Sequence, residues 1–352
     1  MMHIGSSWNI RRRPQHEAEF PVLKENGMTA PSDSGPRMSV VIPNYNHGHL
    51  ITEALLAISR QTLPPFEVIV VDDGSTDNSI TRLESLAAQL PWVRVHRHPV
   101  NRGVNAACNT GLGLVGGDFV LFSAADDCLD AKMVERASAA AAAFPRAGIV
   151  FSDHAEMSVD GAAIRLIPLD LPQRRRYFSA NDFVRLMQTN FFYFHVSSIW
   201  FDVELLRSLG GFLPDLRWHG DLFAAYAAAF ERGAVYVPGA VSYFRRLPNS
   251  YGRAGSRSAA QIDVLRAWLA ASRQRGWEAR RAAFTAAAVW PEYSLRGLHV
   301  LLSDPSYLTP RLVLRLARLA AWNKLAPFCG TGLRERLRGI RSRYRRSRWE
   351  SK

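Results

Sequence analysis

The chain has 352 residues, 47% of them hydrophobic, enough to bury a sizeable core and to exclude global disorder. Its three cysteines, Cys108, Cys128 and Cys329, are too few and too scattered for a disulfide framework or a zinc site, and no apolar run reaches the roughly eighteen residues needed to span a bilayer. The net charge of +13 is uneven: from Arg311 onward thirteen Lys/Arg stand against two Glu, so the basic balance belongs to the tail and the body is nearly neutral.

Residues 1–37 mix Pro, Gly, Ser and charge without period and read as a flexible lead. Met28 and Met38 lie close to the first strand, so the start of translation is open among Met1, Met28 and Met38. The opening MMHIGSSWNIRRRPQHEAEF has no apolar core of signal-peptide type, and the expected location is a reducing cytoplasm.

From residue 38 the pattern changes. SVVIP (39–43) is a short apolar strand and FEVIVVD (66–72) a second. Between them Ile51, Ala54, Leu55 and Ile58 recur at i, i+3, i+4 and i+7, the stripe of an amphipathic helix. A second helix carries Ile80, Leu83, Ala87 and Leu90, with Thr76 and Asp77 as cap candidates. Strands at 93–98, 119–122 and 149–151 continue the alternation, with helices near 103–114 and 131–144. Apolar β-branched strands alternating with amphipathic helices predict an α/β fold, a mostly parallel Rossmann-like sheet with helices on both faces. In such sheets ligands bind outside the carboxyl ends of the strands, which directs attention to the residues after Ile42, Val71 and Phe122. Residues 258–352 are instead Ala/Leu/Arg-rich with helical periods, broken near 304–310 and 327–332.

PNYNHGH (43–49) offers the amides of Asn44 and Asn46 and the ring of Tyr45, groups suited to a flat base and a ribose, or simply a turn that caps the next helix. VDDGSTDNS (71–79) sets two adjacent carboxylates at a strand end, which is costly unless they accept hydrogen bonds or bind something polar. There Asp73 is a candidate acceptor from a base N–H or a ribose hydroxyl, and Gly74 permits a tight turn. With no G-x-G-x-x-G after the first strand, a nicotinamide or flavin dinucleotide site is disfavoured. FSAADDCLD (122–130) places Asp126 and Asp127 directly after a strand. Such hard oxygen ligands suit Mg²⁺ or Mn²⁺ completed by substrate phosphates, while Asp130 already serves as the helix cap. In WHGDLF (218–223) Asp221 stands at the start of an Ala-rich helix, a cap unless the fold brings it to the same crevice as Asp126.

In this order these segments resemble family-2 glycosyltransferases of the GT-A fold over about residues 38–250. SVVIPNYNHGHLITEALLAISRQTLPPFEVIVVDDGSTDNS, NRGVNAACNTGLGLVGGDFVLFSAADD and WHGDLFAAYAAAFERGAVYVPGAVSYFRR carry the resemblance. It implies a GT-A domain over 38–255 with a basic helical extension over 256–352. It further implies a nucleotide-holding loop at Pro43, Asn44 and Tyr45, a base-reading carboxylate at Asp73, and a loop beside the diphosphate at Asn101, Arg102 and Gly103. Asp126 corresponds to the metal-binding end of the family's D-x-D, Asp127 to its acidic neighbour, and Asp221 to the catalytic base. Two positions depart: Ala124 replaces the first carboxylate of D-x-D, and the R-x-H near the domain's end reads Arg245-Arg246-Leu247, leaving Arg245 as the diphosphate candidate. Neither Q-x-x-R-W nor a membrane span is present, against a processive synthase.

The implied reaction is transfer from a nucleoside-diphosphate sugar to an acceptor hydroxyl, with Mg²⁺ or Mn²⁺ neutralising the leaving group. One base and no second nucleophilic carboxylate imply inversion. The expected setting is cell-surface polysaccharide or glycolipid assembly, with a saccharide or lipid-linked saccharide as acceptor. Rival expectations are a sugar-nucleotide nucleotidyltransferase, which needs a Gly-rich, Arg-containing loop after the first strand, and an inactive nucleotide-sugar-binding protein. In the tail, Leu312, Leu316, Leu319 and Ala320 share one helix face and Arg311, Arg315 and Arg318 another, before eight arginines between Arg334 and Arg348. This reads either as an interfacial helix on an anionic membrane, placing the enzyme peripherally at the inner face of the cell membrane, or as a helix packed on the body followed by a solvated end. Nucleic-acid binding is disfavoured because no binding fold accompanies the charge.

Overall fold

The structure, a computed structural model, describes residues 11–12, 35–167, 169–190, 194–248, 250–292 and 294–325. Its strands are β1 (Arg11–Arg12), β2 (Met38–Asn44), β3 (Glu67–Asp72), β4 (Val93–Arg97), β5 (Phe119–Phe122), β6 (Cys128–Leu129), β7 (Ile149–Met157), β8 (Ala163–Ile167), β9 (Arg176–Phe178), β10 (Ile199–Asp202) and β11 (Ala234–Arg245). The helices are α1 (Ile51–Ser59), α2 (Ser79–Gln89), α3 (Val104–Leu114), α4 (Met133–Ala143), α5 (Ala180–Thr189), α6 (Val203–Ser208), α7 (Gly220–Arg232), α8 (Tyr251–Arg257), α9 (Gln261–Ser272), α10 (Glu278–Ala287), α11 (Leu295–Leu302) and α12 (Pro310–Leu325).

One sheet runs in the order β1-β8-β7-β10-β5-β2-β3-β4, with β11 joining β6, β7 and β9 beside it. Strands β5, β2, β3 and β4 are mutually parallel and form the half that the sequence periodicity predicts. Beyond them β10 pairs antiparallel with both β5 and β7, so the whole is a mixed sheet. The near-continuous apolar runs have a direct physical reading. Alternate residues point to opposite faces, and on β2 Val41 enters one core while Val40 and Ile42 enter the other. Each face is covered by helices, so both sets are buried.

The predicted stripe of α1 is the buried one: Ile51, Ala54, Leu55 and Ile58. On α2 burial falls on Leu83, Leu86 and the following Leu90, while Ile80 and Ala87 lie at the margin. Asp77 accepts from the Ser79 amide at 2.9 Å, but the N-cap position is Asn78, one residue past the two candidates, and its side chain makes no capping bond. Asp130 likewise accepts from the Lys132 amide at 3.0 Å ahead of α4. Helix α3 lies so close to the sheet that a Cβ on Gly111 would stand 2.3 Å from Val41 Cγ1.

The C-terminal helices share the larger core with the α/β body. Phe223 of α7 meets Trp268 of α9 edge-on at 4.9 Å between ring centroids and stacks on Phe284 of α10 at 5.0 Å. On α12, Leu312 is fully buried and Leu316 packs on the core. Arg315 donates to the carbonyls of Ala288 (2.8 Å) and Met187 (2.6 Å). The described part of the apolar stripe therefore faces the body, the second of the two readings of this helix. Val313 and Leu314 are its half-exposed apolar residues. No helix among the described residues is long and apolar enough to cross a membrane. Met1, Met28, Cys329 and the arginines from Arg334 to Arg348 lie outside the described residues.

Candidate active site at the carboxyl edge of the sheet

The loops after β2 and β3 are laced together. Asn46, at φ 57°, accepts through its side chain from the amides of Thr76 (2.8 Å) and Asp77 (3.2 Å), and its own amide donates to Ser75 Oγ at 2.9 Å. Asp77 receives the Gly48 amide at 3.0 Å. The loop after β4 closes on the same turn: at Gly74, φ 71°, a Cβ would stand 2.6 Å from the Val100 carbonyl carbon. A side chain there is excluded by both space and backbone conformation.

Inside this rim the paired carboxylates are occupied by the protein. Asp72 accepts from Asn44 Nδ2 (2.8 Å), Ser75 Oγ (2.5 Å) and the Ser75 amide (3.0 Å). Asp73 accepts from the amides of Arg102 (2.9 Å) and Gly103 (2.8 Å), and its Oδ1 lies 2.7 Å from His98 Nδ1. Both carboxylates are buried, as such charge requires when every donor is supplied internally. Asp73, expected to read a base, orders the 101–103 loop through these bonds. Asn44 is also turned inward, its amide on Asp72, so of the first-strand loop Tyr45, 43% exposed, and the partly exposed Pro43 face outward. Asn101 and Arg102 are exposed, and Gly103 holds φ 89°.

After β5 the two aspartates separate. Asp126 keeps a partly exposed side chain. Asp127 is buried; it accepts from Ser197 Oγ at 2.5 Å and from the Arg245 amide at 3.1 Å. Burial, reinforced by the neighbouring Asp126 charge, pushes the Asp127 carboxyl well above the usual carboxylate range. Asp127, expected beside Asp126 at the metal, is thus held inward as a structural anchor. Beside it His195 stacks on Phe244 at 4.4 Å, and desolvation lowers its imidazole to about 3.

Arg245, the expected diphosphate candidate, is engaged by the protein. It is buried and donates to the Asp126 carbonyl (3.1 Å), the Val159 carbonyl (2.6 Å) and Glu53 (2.6 Å). These bonds use the guanidinium to hold the 126–127 turn. Arg245→Leu is expected to cost about 2–4 kcal/mol, because Glu53 and two carbonyls lose charge-assisted donors. Urea unfolding measures it, and a change under 1 kcal/mol would contradict the clamp. Its neighbour Arg246 pairs with Glu156 at 3.1 Å.

Asp221 opens α7 and is partly exposed, yet desolvation raises its carboxyl to about 6. The segment before it abuts the start of α3. Asn105 donates to the carbonyls of Leu213 (3.1 Å) and Arg217 (3.0 Å), and a Cβ on Gly220 would strike the Asn105 amide at 2.8 Å. Arg217 sits at φ 42°, ψ −115°, a strain of roughly 1–3 kcal/mol that persists only where the surroundings enforce it. The thiol of buried Cys108 on α3 is raised by burial first, then by the charges of Asp221 and Asp73. Asp126, the 101–103 loop and Asp221 therefore all stand at the carboxyl edge of the parallel strands. Asn105 and the strained Arg217 carried no signal in the sequence, since each acts through backbone over a hundred residues away or through its own conformation.

Residues 39–205 match the model of glycosyl transferase family 2. Over 103 residues the chain is 36% identical to the uncharacterized glycosyltransferase YibD of Escherichia coli, covering 29% of this chain and 30% of that protein. Over 98 residues it is 36% identical to the glycosyltransferase GlyG of Streptococcus pneumoniae, covering 28% and 33%. The match thus spans about a third of these relatives. Among solved structures, S. aureus TarS 1–349 in complex with UDP-GlcNAc superposes with a TM-score of 0.57 at 21% identity, over 76% of this chain and 73% of that one. The mannosyltransferase PcManGT from Pyrobaculum calidifontis, in complex with GDP-Man and Mn²⁺, covers 97% of this chain and 88% of its own at TM-score 0.53 and 21% identity. At such identity these structures speak for the fold alone. Residues 39–205 thus match glycosyltransferase family 2, on a fold shared with solved glycosyltransferases of the GT-A type.

Proposed function

We propose that the protein transfers a sugar from a nucleoside-diphosphate donor to an acceptor hydroxyl with inversion, Asp221 serving as general base. The observation that carries this reading is the position of Asp221. It is a partly exposed carboxylate raised to about 6 by desolvation, directly after Gly220, which abuts Asn105 of α3, whose preceding loop holds the exposed Asn101 and Arg102. An acceptor oxygen attacks the anomeric carbon as the bond to phosphate breaks. The electron pair leaves with the nucleoside diphosphate, and the hydroxyl proton passes to Asp221, a contribution of roughly 10²–10⁴-fold.

A divalent cation fits the donor set in one form only. No cluster of three or more His, Cys, Asp or Glu suited to a metal occurs among the described residues, so Asp126 would hold Mg²⁺ or Mn²⁺ together with donor phosphates and water. That is the habit of these hard ions. When bound, the ion supplies charge neutralisation for the leaving group. The donors named with the structural neighbours, UDP-GlcNAc and GDP-Man, define the first classes to try. A lipid-linked or polysaccharide acceptor, cytoplasmic location and membrane contact through the arginines of 334–348 belong to the same proposal and rest on the tail's charge.

Ala124 and the inward Asp127 and Arg245 favour a second reading, a nucleotide-sugar-binding protein without turnover. A panel of UDP- and GDP-sugars with Mn²⁺ separates the two. We expect one donor to raise the melting temperature and to release its nucleoside diphosphate slowly in the absence of acceptor. Stabilisation without release, even with acceptors supplied, establishes the second reading, and no stabilisation by any donor sinks both.

A further inference from the structure

We propose that Gln261, on the C-terminal helical extension, is a positioning residue for Asp221, acting through Trp218 and His219. This rests on the reading of Asp221 as the base. Gln261 is 1% exposed and uses both ends of its amide on the segment that leads into α7. Its Oε1 accepts from Trp218 Nε1 at 2.6 Å, and its Nε2 stands 3.0 Å from His219 Nε2 and donates to Glu292 at 2.7 Å. His219 is buried and desolvation lowers it to about 4, so it is neutral and accepts that bond.

The network behind Gln261 reaches further into the extension. Arg296 pairs with Glu292 and donates to the carbonyls of Ser256 (2.6 Å) and Ser258 (3.0 Å), tying down the end of α8. Helix α8 supports Trp218 in turn. A Cβ on Gly255 would stand 2.1 Å from Trp218 Cε3, so only glycine lets the ring lie there. The backbone between the two supports is the strained one at Arg217, held from the donor side by Asn105. Strained backbone keeps its conformation only while it is gripped. Residues 217–221 are gripped twice, by α3 next to the donor loop and by Gln261 from the extension. Releasing the second grip lets the segment relax and carries Asp221 out of line, and displacements near 1 Å cost about 10²-fold in rate.

The experiment compares wild type, Gln261→Leu, and the swap Gln261→Glu/Glu292→Gln in the full chain. In the swap a carboxylate at 261 still accepts from Trp218 and from the amide of residue 292, and His219 meets it as the Nε2–H tautomer, since its Nδ1 has no partner among the described residues to lose. Three readouts are taken: kcat and KM for the donor that the panel identifies, nucleotide affinity by calorimetry, and hydrogen exchange of the 217–222 amides. Expected for Gln261→Leu is a kcat lowered roughly 10–100-fold, donor KM and nucleotide affinity within twofold of wild type, and faster exchange confined to 217–222. The swap recovers most of kcat. Exchange is read without turnover, so a wild-type chain that turns over no donor refutes the transfer reading while the exchange data still decide the grip. Unchanged exchange and kcat in Gln261→Leu, or losses spread evenly over kcat, affinity and global exchange without recovery in the swap, would overturn the proposal.

Discussion

Asp221→Asn is expected to lower kcat for sugar transfer by about 10²–10⁴-fold while nucleotide affinity stays within twofold of wild type. The amide keeps the size and the acceptor oxygen that meets the Leu222 amide at 2.7 Å, but it cannot take a proton. Because desolvation holds this carboxyl at about 6, wild-type kcat/KM should rise with pH and reach half its plateau near that value, as the base becomes ionised. Stability should move the opposite way. The folded group binds its proton more tightly than the unfolded chain, so folding is favoured at low pH. That advantage is lost as pH rises from the ordinary carboxylate range through about 6. Discounted for partial exposure, the cost above that pH is roughly 1–2 kcal/mol, and Asp221→Asn removes it. The variant should therefore be both inactive and more stable at pH 7.5. A variant retaining a tenth of wild-type kcat, with its pH limb intact, would end the assignment of Asp221 as base.

The elements were legible because their signals are local. The stripe at Ile51, Ala54, Leu55 and Ile58 and the apolar strands at 39–43 and 119–122 depend on neighbours within one turn or one pleat, and the fold buries them as read. The location of the site followed from the same logic, since polar clusters at the ends of buried parallel strands sit at the edge where ligands bind. Side-chain direction was a different matter. Asp72 and Asp73 look alike in the sequence, yet each is satisfied by its own set of donors: Asn44 and Ser75 for one, His98 and the 102–103 amides for the other. Asp127 is turned inward by Ser197 and the Arg245 amide, 70 and 118 residues distant. No periodicity records such partners. Arg245 illustrates the same limit, because Glu53 lies 192 residues away. The stripe of Leu312 and Leu316 was ambiguous for another reason: an amphipathic helix presents the same pattern to a protein core and to a bilayer. Only the packed body decides which one it meets.

That difference in direction between Asp126 and Asp127 makes the second large prediction sharp. Asp126→Ala is expected to weaken nucleotide binding in Mn²⁺ by at least about tenfold and to erase the difference between Mn²⁺ and chelator, because it removes the one outward carboxylate at the end of β5. The protein contributes little else to such a site, so the charge of the leaving diphosphate would stay unbalanced and kcat should fall with affinity. Asp127→Asn provides the contrast. Its oxygen can still accept from the Arg245 amide and its amide group can donate to Ser197 Oγ, reproducing both inward contacts. Nucleotide affinity in Mn²⁺ should then remain within about twofold of wild type. Calorimetric titration of both variants, with and without Mn²⁺, tests the pair together. Equal losses would mean that the two carboxylates share the cation and that Asp127 must turn outward to do so. A loss confined to Asp127→Asn would exchange the two roles, and an Asp126→Ala chain that still binds nucleotide better with Mn²⁺ than without would remove the cation from this edge of the sheet.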